Sequence, residues 1–416
     1  MSKSSSTPPS WLISNVQPVC TLILLCYTKK GNALRWINLA FLTALTVWHY
    51  QTLDQLDMTT PDCVILRIVP LPTLLHTTSL LVGIDYDDIW EQEACRSRFS
   101  NFLGSVRLVM DYSAVGTRWQ VRNVPAFPAW LTAQPKRSLF LLRQSLFALW
   151  QYILLDFVGH QLTHSERAMN DFTMILQDPT ARHAWPVETA INLGIWFVLA
   201  RVSLDFRYRF ISVALVALGV SPAENWPPMF GSTLQAYTLR NFWGTYWHQT
   251  LRWPLTAMSA FITRTLLKLP YPSLIERYSN LFFAFLVSGI IHLSAQYKGF
   301  ITTPPGAIHF FTSFTLAIMV EDGIQAIWAR MAEEDKTVQK FSTRHPTLWK
   351  RLVGYIWVTM WLTLLGPLYS YDMAYMAVME PLPLPVSVTE YLTPSVTGAL
   401  LGGGMIVGLV AFGAEP

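Results

Sequence analysis

Long apolar blocks are the feature that most restricts what this chain can fold into. A helix needs about 20 mostly apolar residues to cross the hydrocarbon core of a bilayer, and nine blocks approach or exceed that length. They are 11–28, 36–50, 63–82, 139–159, 190–220, 281–297, 308–327, 352–369 and 394–412. Only 13% of the residues are charged, about half the fraction usual in soluble domains. The sequence therefore predicts an all-α polytopic membrane protein with about eight to nine transmembrane helices. It excludes a disordered chain, a nucleic-acid binder and an ordinary cytosolic enzyme.

The basic residues predict how the chain is oriented in the membrane. Block 190–220 contains Arg201, Asp205, Arg207 and Arg209, so it is either one long broken span or two short ones. Counted as one crossing with a lumenal N-terminus, the cytosolic loops hold 21 Lys and Arg residues and the opposite side holds 4. Short cytoplasmic loops collect basic residues in this way. The C-terminus and two long aromatic-rich loops, 84–138 and 221–280, are then cytosolic, and we expect both loops to fold against the membrane.

The N-terminus and the cysteines carry two smaller predictions. The polar tail 1–10 has no convincing cleavage site, so we expect the first apolar block to be retained as an anchor. Four cysteines are too few to indicate a disulfide framework, and we expect Cys20, Cys26, Cys63 and Cys95 to be reduced.

His292 is the strongest candidate for chemistry inside a span. It lies well within the apolar block 281–297, where an ionisable side chain is costly and is a functional hypothesis by default. On a helix, the same face carries Ser288, Gly289, Ala295 and Gln296. These neighbours offer hydrogen bonds and leave room beside the imidazole. The alternative is a histidine that only bonds to a neighbouring helix.

A second group of polar and aromatic residues lies between Trp226 and Trp253. Its Trp-Pro-Pro start predicts a turn. From Thr238 onward the period is helical and places four polar residues on one face, with aromatic residues over much of the rest; the four are Asn241, Thr245, His248 and Arg252. This pattern predicts an amphipathic helix in the membrane interface. A helix that merely anchors the loop is the alternative, although anchoring does not require so many polar groups on one face.

Four strings in this chain resemble one enzyme family. They are WPPMFGS (226–232), LRNFWGTYWHQ (239–249), SGIIH (288–292) and VGTRWQVRNVP (115–125). Together they are similar to the wax synthase-like branch of the membrane-bound O-acyltransferases (MBOAT), and fungal members of that branch look closest. The resemblance covers the middle and the general layout of the chain. It implies an MBOAT-like fold, a single acyltransferase domain over 1–416 and a catalytic core over 226–330.

The resemblance also implies an activity and a set of site residues. An acyl group would pass from coenzyme A to an alcohol inside a tunnel through the membrane. His292 would be the family's essential histidine, and His248 its second polar position. The family commonly has an acidic residue before Phe-Trp-Gly, where this chain has Asn241, so this position can hydrogen-bond but carries no charge.

The chemistry of ester formation gives these residue types a physical reason. An alcohol is a weak nucleophile, and a neutral imidazole within hydrogen-bond reach can remove its proton as it attacks a thioester. Burial disfavours the charged imidazolium and so favours that neutral base. A second donor is needed for the oxyanion, and His248 or Asn241 could supply it. Arg240 and Arg252 are candidates for the phosphates of coenzyme A, with Trp243 and Trp247 beside them, although either arginine could instead follow the positive-inside rule.

The remaining ionisable residues are weaker candidates. His160 and His164, with Asp156 and Glu166 nearby, have a spacing that could bind a metal, but no third ligand is evident, and we predict no metal site. Glu321 and Asp322 either pair with a basic residue or line the tunnel. Arg201, Asp205, Arg207 and Arg209 could pair with one another where their helix breaks.

The sequence-based hypothesis is a membrane O-acyltransferase of the endoplasmic reticulum with no bound cofactor. Its expected substrates are acyl-CoA, preferably acetyl-CoA, and a hydrophobic alcohol such as a terpenoid or meroterpenoid of fungal secondary metabolism. The runner-up is a wax synthase that joins a fatty acyl-CoA to a long-chain alcohol. A transporter or a non-catalytic scaffold is a rival from another class, and the lack of internal repeats counts against transport.

Overall fold

The structure is a computed structural model that describes residues 11–55, 66–85, 98–127, 136–164, 186–295, 306–334, 348–369, 387–389, 391–392, 395–400 and 402–403. Within these ranges all regular structure is helical. Ten α-helices in the described part have nine or more residues: α1 Trp11–Tyr27, α2 Ala33–Gln55, α3 Pro70–Gly83, α4 Arg98–Met110, α5 Arg137–His164, α6 Pro186–Ala217, α7 Arg252–Ala260, α8 Leu274–Ala295, α9 Gly306–Glu334 and α10 Leu348–Leu365.

The apolar blocks coincide with helices. Of the nine predicted blocks, the first eight fall on α1, α2, α3, α5, α6, α8, α9 and α10. Much of the last block, 394–412, lies outside the described residues. Four helices are long and apolar enough to cross a membrane, over Arg137–His160, Leu274–Ala295, Gly306–Met331 and Leu348–Tyr369. The all-helical class is therefore confirmed, whereas the number of eight to nine spans stays a prediction.

Helix α6 contains most of block 190–220, and how often this block crosses the membrane stays a prediction. The helix runs without interruption for 32 residues, or about 48 Å at 1.5 Å per residue, so the predicted break is wrong. Its charges do not interrupt it because Arg209 pairs with Asp205 one turn earlier, Nε to Oδ2 at 2.7 Å. Gln151 of α5 donates to the same carboxylate oxygen at 2.7 Å. A buried acid with two donors of its own can remain in an apolar helix.

The chain divides into two compact units. The first comprises 1–121 and 250–315, and the second comprises 122–249 and 316–416. In the first unit α3 contacts α1, α2 and α7, and α7 also packs against α8. In the second unit α6 packs against α5 and α10.

Arg35 joins three helices of the first unit from a fully buried position. It belongs to the first turn of α2 and is 1% exposed. Its guanidinium donates to Leu81 O at 2.8 Å and Ile84 O at 2.6 Å, at the end of α3. It also donates to Thr28 Oγ1 at 2.8 Å and to Thr28 O, just past the end of α1. The carbonyls at a helix end have no partner within the helix, and one side chain here satisfies those of two helices.

The two long loops are folded where the structure describes them. Loop 84–138 contains α4 and then a turn in which Asp111 accepts hydrogen bonds from Ser113 N at 2.9 Å and Val115 N at 2.8 Å. Burial raises the pKa of the Asp111 carboxyl, and these backbone donors oppose that rise. Loop 221–280 contains α7, which packs on α3 and α8. Of the four cysteines expected to be reduced, Cys20 and Cys26 are free thiols. Cys63 and Cys95 lie outside the described residues.

Candidate active site

The segment 226–251 begins with the turn that its prolines predict. Residues 226–229 are not helical. Tyr208 of α6 donates to Pro227 O at 2.7 Å, and the indole N–H of Trp226 donates to Ser221 Oγ at 3.1 Å. Both bonds fix the start of the segment in the second unit.

The amphipathic helix expected from Thr238 onward is much shorter than predicted. One α-helical turn, Leu239–Asn241, passes into a π-helical turn, Phe242–Tyr246. Trp247 is extended at φ −67° and ψ 148°, and residues 247–251 are not helical before α7 starts at Arg252. Asn241, Thr245, His248 and Arg252 therefore do not share one helix face, and that prediction is wrong.

Close backbone contacts explain why the helix ends at this point. Gly231 N donates to Tyr246 O at 2.9 Å, and a Cβ atom at residue 231 would lie 2.3 Å from Thr245 O. The side chain of Gln249 donates to Trp243 O at 3.2 Å and also to Trp247 O. These bonds take carbonyls that a continuing α-helix would use for its next turn. The helical spacing of polar and apolar residues in this segment does not indicate these tertiary hydrogen bonds.

Glu321 of α9 and Thr238 bind the backbone N–H groups at the start of this helical segment. Glu321, which is 5% exposed, accepts from Leu239 N at 2.6 Å and Arg240 N at 3.2 Å. Thr238 Oγ1 accepts from Asn241 N at 3.0 Å. Side-chain oxygens therefore satisfy the first three N–H groups of the turn, which have no partner within a helix. A carboxylate at a helix N-terminus is further stabilised by the local dipoles.

Arg240 forms a bidentate ion pair with Asp322. Nε lies 3.1 Å from Oδ1, and Nη2 lies 2.5 Å from Oδ2. The expected pairing with a basic residue is confirmed for Asp322, whereas Glu321 accepts the two backbone N–H groups described above. Because Asp322 occupies two donor groups of Arg240, the guanidinium has fewer left for a phosphate than the sequence suggested.

His248 lies in a cluster of aromatic rings. The ring of Phe230 meets it edge-on at 5.9 Å between centroids, and Trp247 lies at 5.7 Å. Trp247 also contacts Trp243 at 6.0 Å. The structure therefore brings His248, Trp243 and Trp247 together, as expected of residues at one site. Phe230 was missed, because nothing in its local pattern distinguishes it from other apolar residues.

Arg201 lies against two aromatic rings of the segment 226–251. Its guanidinium carbon lies 5.0 Å from the ring centroid of Phe230 and 5.4 Å from that of Tyr246. Such cation–π contacts are worth about 0.5–2 kcal/mol. Arg201 thus belongs with the aromatic cluster around His248. Of the ion pairs expected among these charges, the one between Asp205 and Arg209 is confirmed. The position of Arg201 in an apolar block was the sequence signal for a special role.

His292 belongs to the first unit, in the last turn of α8. Its Nδ1 lies 2.7 Å from the carbonyl oxygen of Ser288. A carbonyl oxygen can only accept, so Nδ1 carries the hydrogen and Nε2 of the neutral ring has the basic lone pair. The imidazole also lies against Phe311 of α9, with ring centroids 4.4 Å apart. The expected polar neighbour is therefore the backbone of Ser288 rather than its hydroxyl, and Gln296 lies outside the described residues.

The other candidates are located as follows. Arg252 is the first residue of α7 and belongs to the first unit. Asn241 is the last residue of its α-helical turn, and its carbonyl accepts from Thr245 Oγ1 at 2.7 Å. Asp156 accepts two backbone bonds, from Val388 N and Thr389 N, each at 2.8 Å. Oδ2 of Asp156 therefore binds the backbone at residues 388 and 389 of the second unit.

Substitution of Glu321 by glutamine is expected to impair activity more than folding. Glutamine keeps one acceptor oxygen, so one of the two N–H groups at residues 239 and 240 loses its partner. A buried polar group left unpaired costs about 1–3 kcal/mol, and displacement of a positioning segment by about 1 Å can lower a rate by about 100-fold. We expect the turnover rate to fall by about 10-fold or more, measured together with the midpoint of thermal unfolding. Glu224→Gln changes an exposed acid of the same unit and should alter neither the turnover rate nor the midpoint of thermal unfolding. A Glu321→Gln protein with unaltered turnover would contradict the role of Glu321 in positioning residues 239 and 240.

Comparison with known proteins places the chain in a family. Residues 226–313 match the family model described as membrane bound O-acyl transferase family. The chain is 38% identical to acetyltransferase atnC of an Arthrinium species over 73% of its own length and 71% of the relative. It is 34% identical to acetyltransferase TRI7 of Fusarium sporotrichioides over 73% of its length and 71% of the relative.

A longer relative is equally similar. The chain is 37% identical to acetyltransferase spyB of Aspergillus fumigatus over 77% of its own length, and it spans 54% of that protein. No solved structure matches the chain. The matched region contains Trp226, His248 and His292, whereas Arg201, Glu321 and Asp322 lie outside it. The chain belongs to the membrane-bound O-acyltransferase family and is an enzyme of acyl transfer.

Proposed function

We propose that the protein transfers an acetyl group from acetyl-CoA to the hydroxyl of a hydrophobic alcohol, such as a terpenoid or meroterpenoid of secondary metabolism. The observation that carries this proposal is the orientation of His292. Its Nδ1 is held by the Ser288 carbonyl, so its other nitrogen has the lone pair that a general base needs. The relatives atnC, TRI7 and spyB are named acetyltransferases, which supports acetyl as the acyl group.

The proposed reaction needs no covalent enzyme intermediate. Nε2 of His292 takes the proton of the alcohol while its oxygen attacks the thioester carbon. The carbon–sulfur bond then breaks, and the coenzyme A thiolate takes the proton back from the imidazolium. The ester and free coenzyme A are the products, and the histidine returns to its starting state.

The second group of residues is proposed to serve the donor. His248 or Asn241 would donate a hydrogen bond to the oxyanion that forms during attack. Arg252 is proposed to bind the coenzyme A phosphates, and Trp243 and Trp247 are proposed to contact the coenzyme. Arg240 is a weaker candidate for phosphate, because Asp322 holds two of its donors. We further propose a multi-pass protein of the endoplasmic reticulum membrane, with the coenzyme A side facing the cytosol.

An ester-forming assay tests the proposal. Microsomes that contain the protein are incubated with labelled acetyl-CoA or palmitoyl-CoA and a panel of terpenoid, sterol and long-chain alcohols. We expect label from acetyl-CoA in an ester of a terpenoid alcohol, and none in microsomes without the protein. Label from palmitoyl-CoA in a long-chain alcohol would identify a wax synthase instead. No ester from either donor, with folded protein present, would refute acyl transfer to this class of alcohol.

A further inference from the structure

Phe311 covers one face of the imidazole of His292. The two ring centroids are 4.4 Å apart and the planes are inclined by 35°. Phe311 is 5% exposed, so its ring is fixed by its surroundings. Helices α8 and α9 also approach closely beside it, since a Cβ atom at Gly289 would lie 2.9 Å from the Cα atom of Ile308. The space next to this face of His292 is therefore filled by the protein.

The ring belongs to a larger cluster of phenylalanines in the first unit. Phe310 contacts Phe311 at 4.9 Å and Phe314 at 5.1 Å between centroids. Phe314 in turn contacts Phe285 of α8 at 6.2 Å. Phe310 and Phe314 are 1% and 0% exposed. A packed aromatic cluster of this kind resists displacement, because protein interiors have few voids into which a ring could move.

The reaction geometry places the acyl group close to the imidazole that Phe311 covers. The attacking oxygen must lie about 3 Å from Nε2 of His292, and the thioester carbon about 3–3.5 Å from that oxygen. The carbonyl carbon is therefore within about 6–7 Å of Nε2, and the next carbons of the donor lie only a bond length or two further. The methyl group of an acetyl donor needs little space there, whereas a longer chain directed toward Phe311 would find that side of the imidazole filled.

We infer that Phe311 is a specificity-determining residue that restricts the donor to short acyl groups. The inference rests on the proposed function, because it takes His292 as the base that the donor approaches. Removing the ring while leaving His292 in place should open the space for longer chains. One extra methylene in an apolar pocket changes discrimination by about 10- to 200-fold, so the effect on a chain several carbons longer is measurable.

Competition binding tests the inference without knowledge of the alcohol. The full chain is reconstituted in bilayer nanodiscs, and unlabelled octanoyl-CoA and acetyl-CoA are each titrated against labelled acetyl-CoA. On the unaltered protein we expect octanoyl-CoA to compete at least about 10-fold more weakly than acetyl-CoA. On Phe311→Ala we expect the difference to shrink to about threefold or less, with acetyl-CoA still bound. Phe311→Leu, which retains an apolar side chain, should narrow the gap as well and serves if the alanine variant does not fold.

Phe314→Ala is the matched control. It removes the same ring from the same helix and cluster, three residues away, and should keep the difference between donors. If the unaltered protein binds no acetyl-CoA, the proposed function itself fails. If acetyl-CoA binds but octanoyl-CoA competes equally well, or if both Phe311 variants retain the original difference, the role of Phe311 is overturned while acyl transfer stands. Phe314→Ala with the same loss of discrimination would likewise overturn the assignment to Phe311.

Discussion

Substitution of His292 by alanine is expected to lower the rate of ester formation by at least about 100-fold. General-base catalysis by a positioned side chain typically contributes 10²–10⁴-fold, and alanine has no group that can accept the proton of the alcohol. His292→Gln should be similarly inactive, because an amide is not basic although it can still hydrogen-bond. The rate is measured with labelled acetyl-CoA and an alcohol that the unaltered protein acetylates.

Two comparisons separate catalysis from folding in this experiment. His309→Ala changes an exposed histidine of α9 and should leave the rate within about twofold of the original. Binding of acetyl-CoA should persist in the His292 variants, since the proposed base acts on the alcohol. A His292→Ala protein that retains most of its ester-forming rate would exclude this residue as the base.

Substitution of Arg35 by methionine is expected to destabilise the first unit severely. The guanidinium donates to two carbonyls of α3 and to both oxygens of Thr28. Methionine fills similar space but donates nothing, so these buried acceptors lose their partner. Each such loss costs about 1–3 kcal/mol, and the total should reach about 3–5 kcal/mol. We expect the midpoint of thermal unfolding in detergent to fall by about 5 °C or more.

Lys30→Met is the control for the loss of a positive charge. Lys30 precedes the same helix but its side chain is exposed, so its removal should hardly affect the midpoint. Arg35→Lys should lie between the two, because an ammonium group keeps the charge but cannot span acceptors on two helices as a planar guanidinium does. An unaltered midpoint for Arg35→Met would show that the bonds at the ends of α1 and α3 contribute little.

The helices were largely predictable from the sequence, and their limits and internal irregularities were not. Apolar blocks coincide with eight helices of the described chain, because burial or lipid contact of a long apolar stretch favours a helix. The segment after Thr238 illustrates the failure. Its period is helical, yet Gly231 pairs with Tyr246 and Gln249 with Trp243. These tertiary bonds outweigh a local propensity of a few tenths of a kcal/mol per residue.

Some residues of the candidate site could be identified from the sequence, and others only from the structure. His292 could be identified because an ionisable residue in an apolar block is rare, and the motif around His248 because several unusual residues are adjacent. Phe311 and Phe230 could not, since they are two of 23 phenylalanines in the chain and nothing in their local sequence sets them apart. Only packing shows which of those rings lie against a histidine.

Long apolar blocks by themselves determined that the chain is helical and suited to a membrane, and the rare polar residues within them indicated where chemistry would lie. The tertiary structure decided the partner of each buried charge. Arg240 finds Asp322 from 82 residues away, and Arg35 reaches Ile84 from 49 residues away. Hydropathy and helical period act over one or two turns, whereas a buried charge must be matched by whichever distant group the packing of helices brings to it.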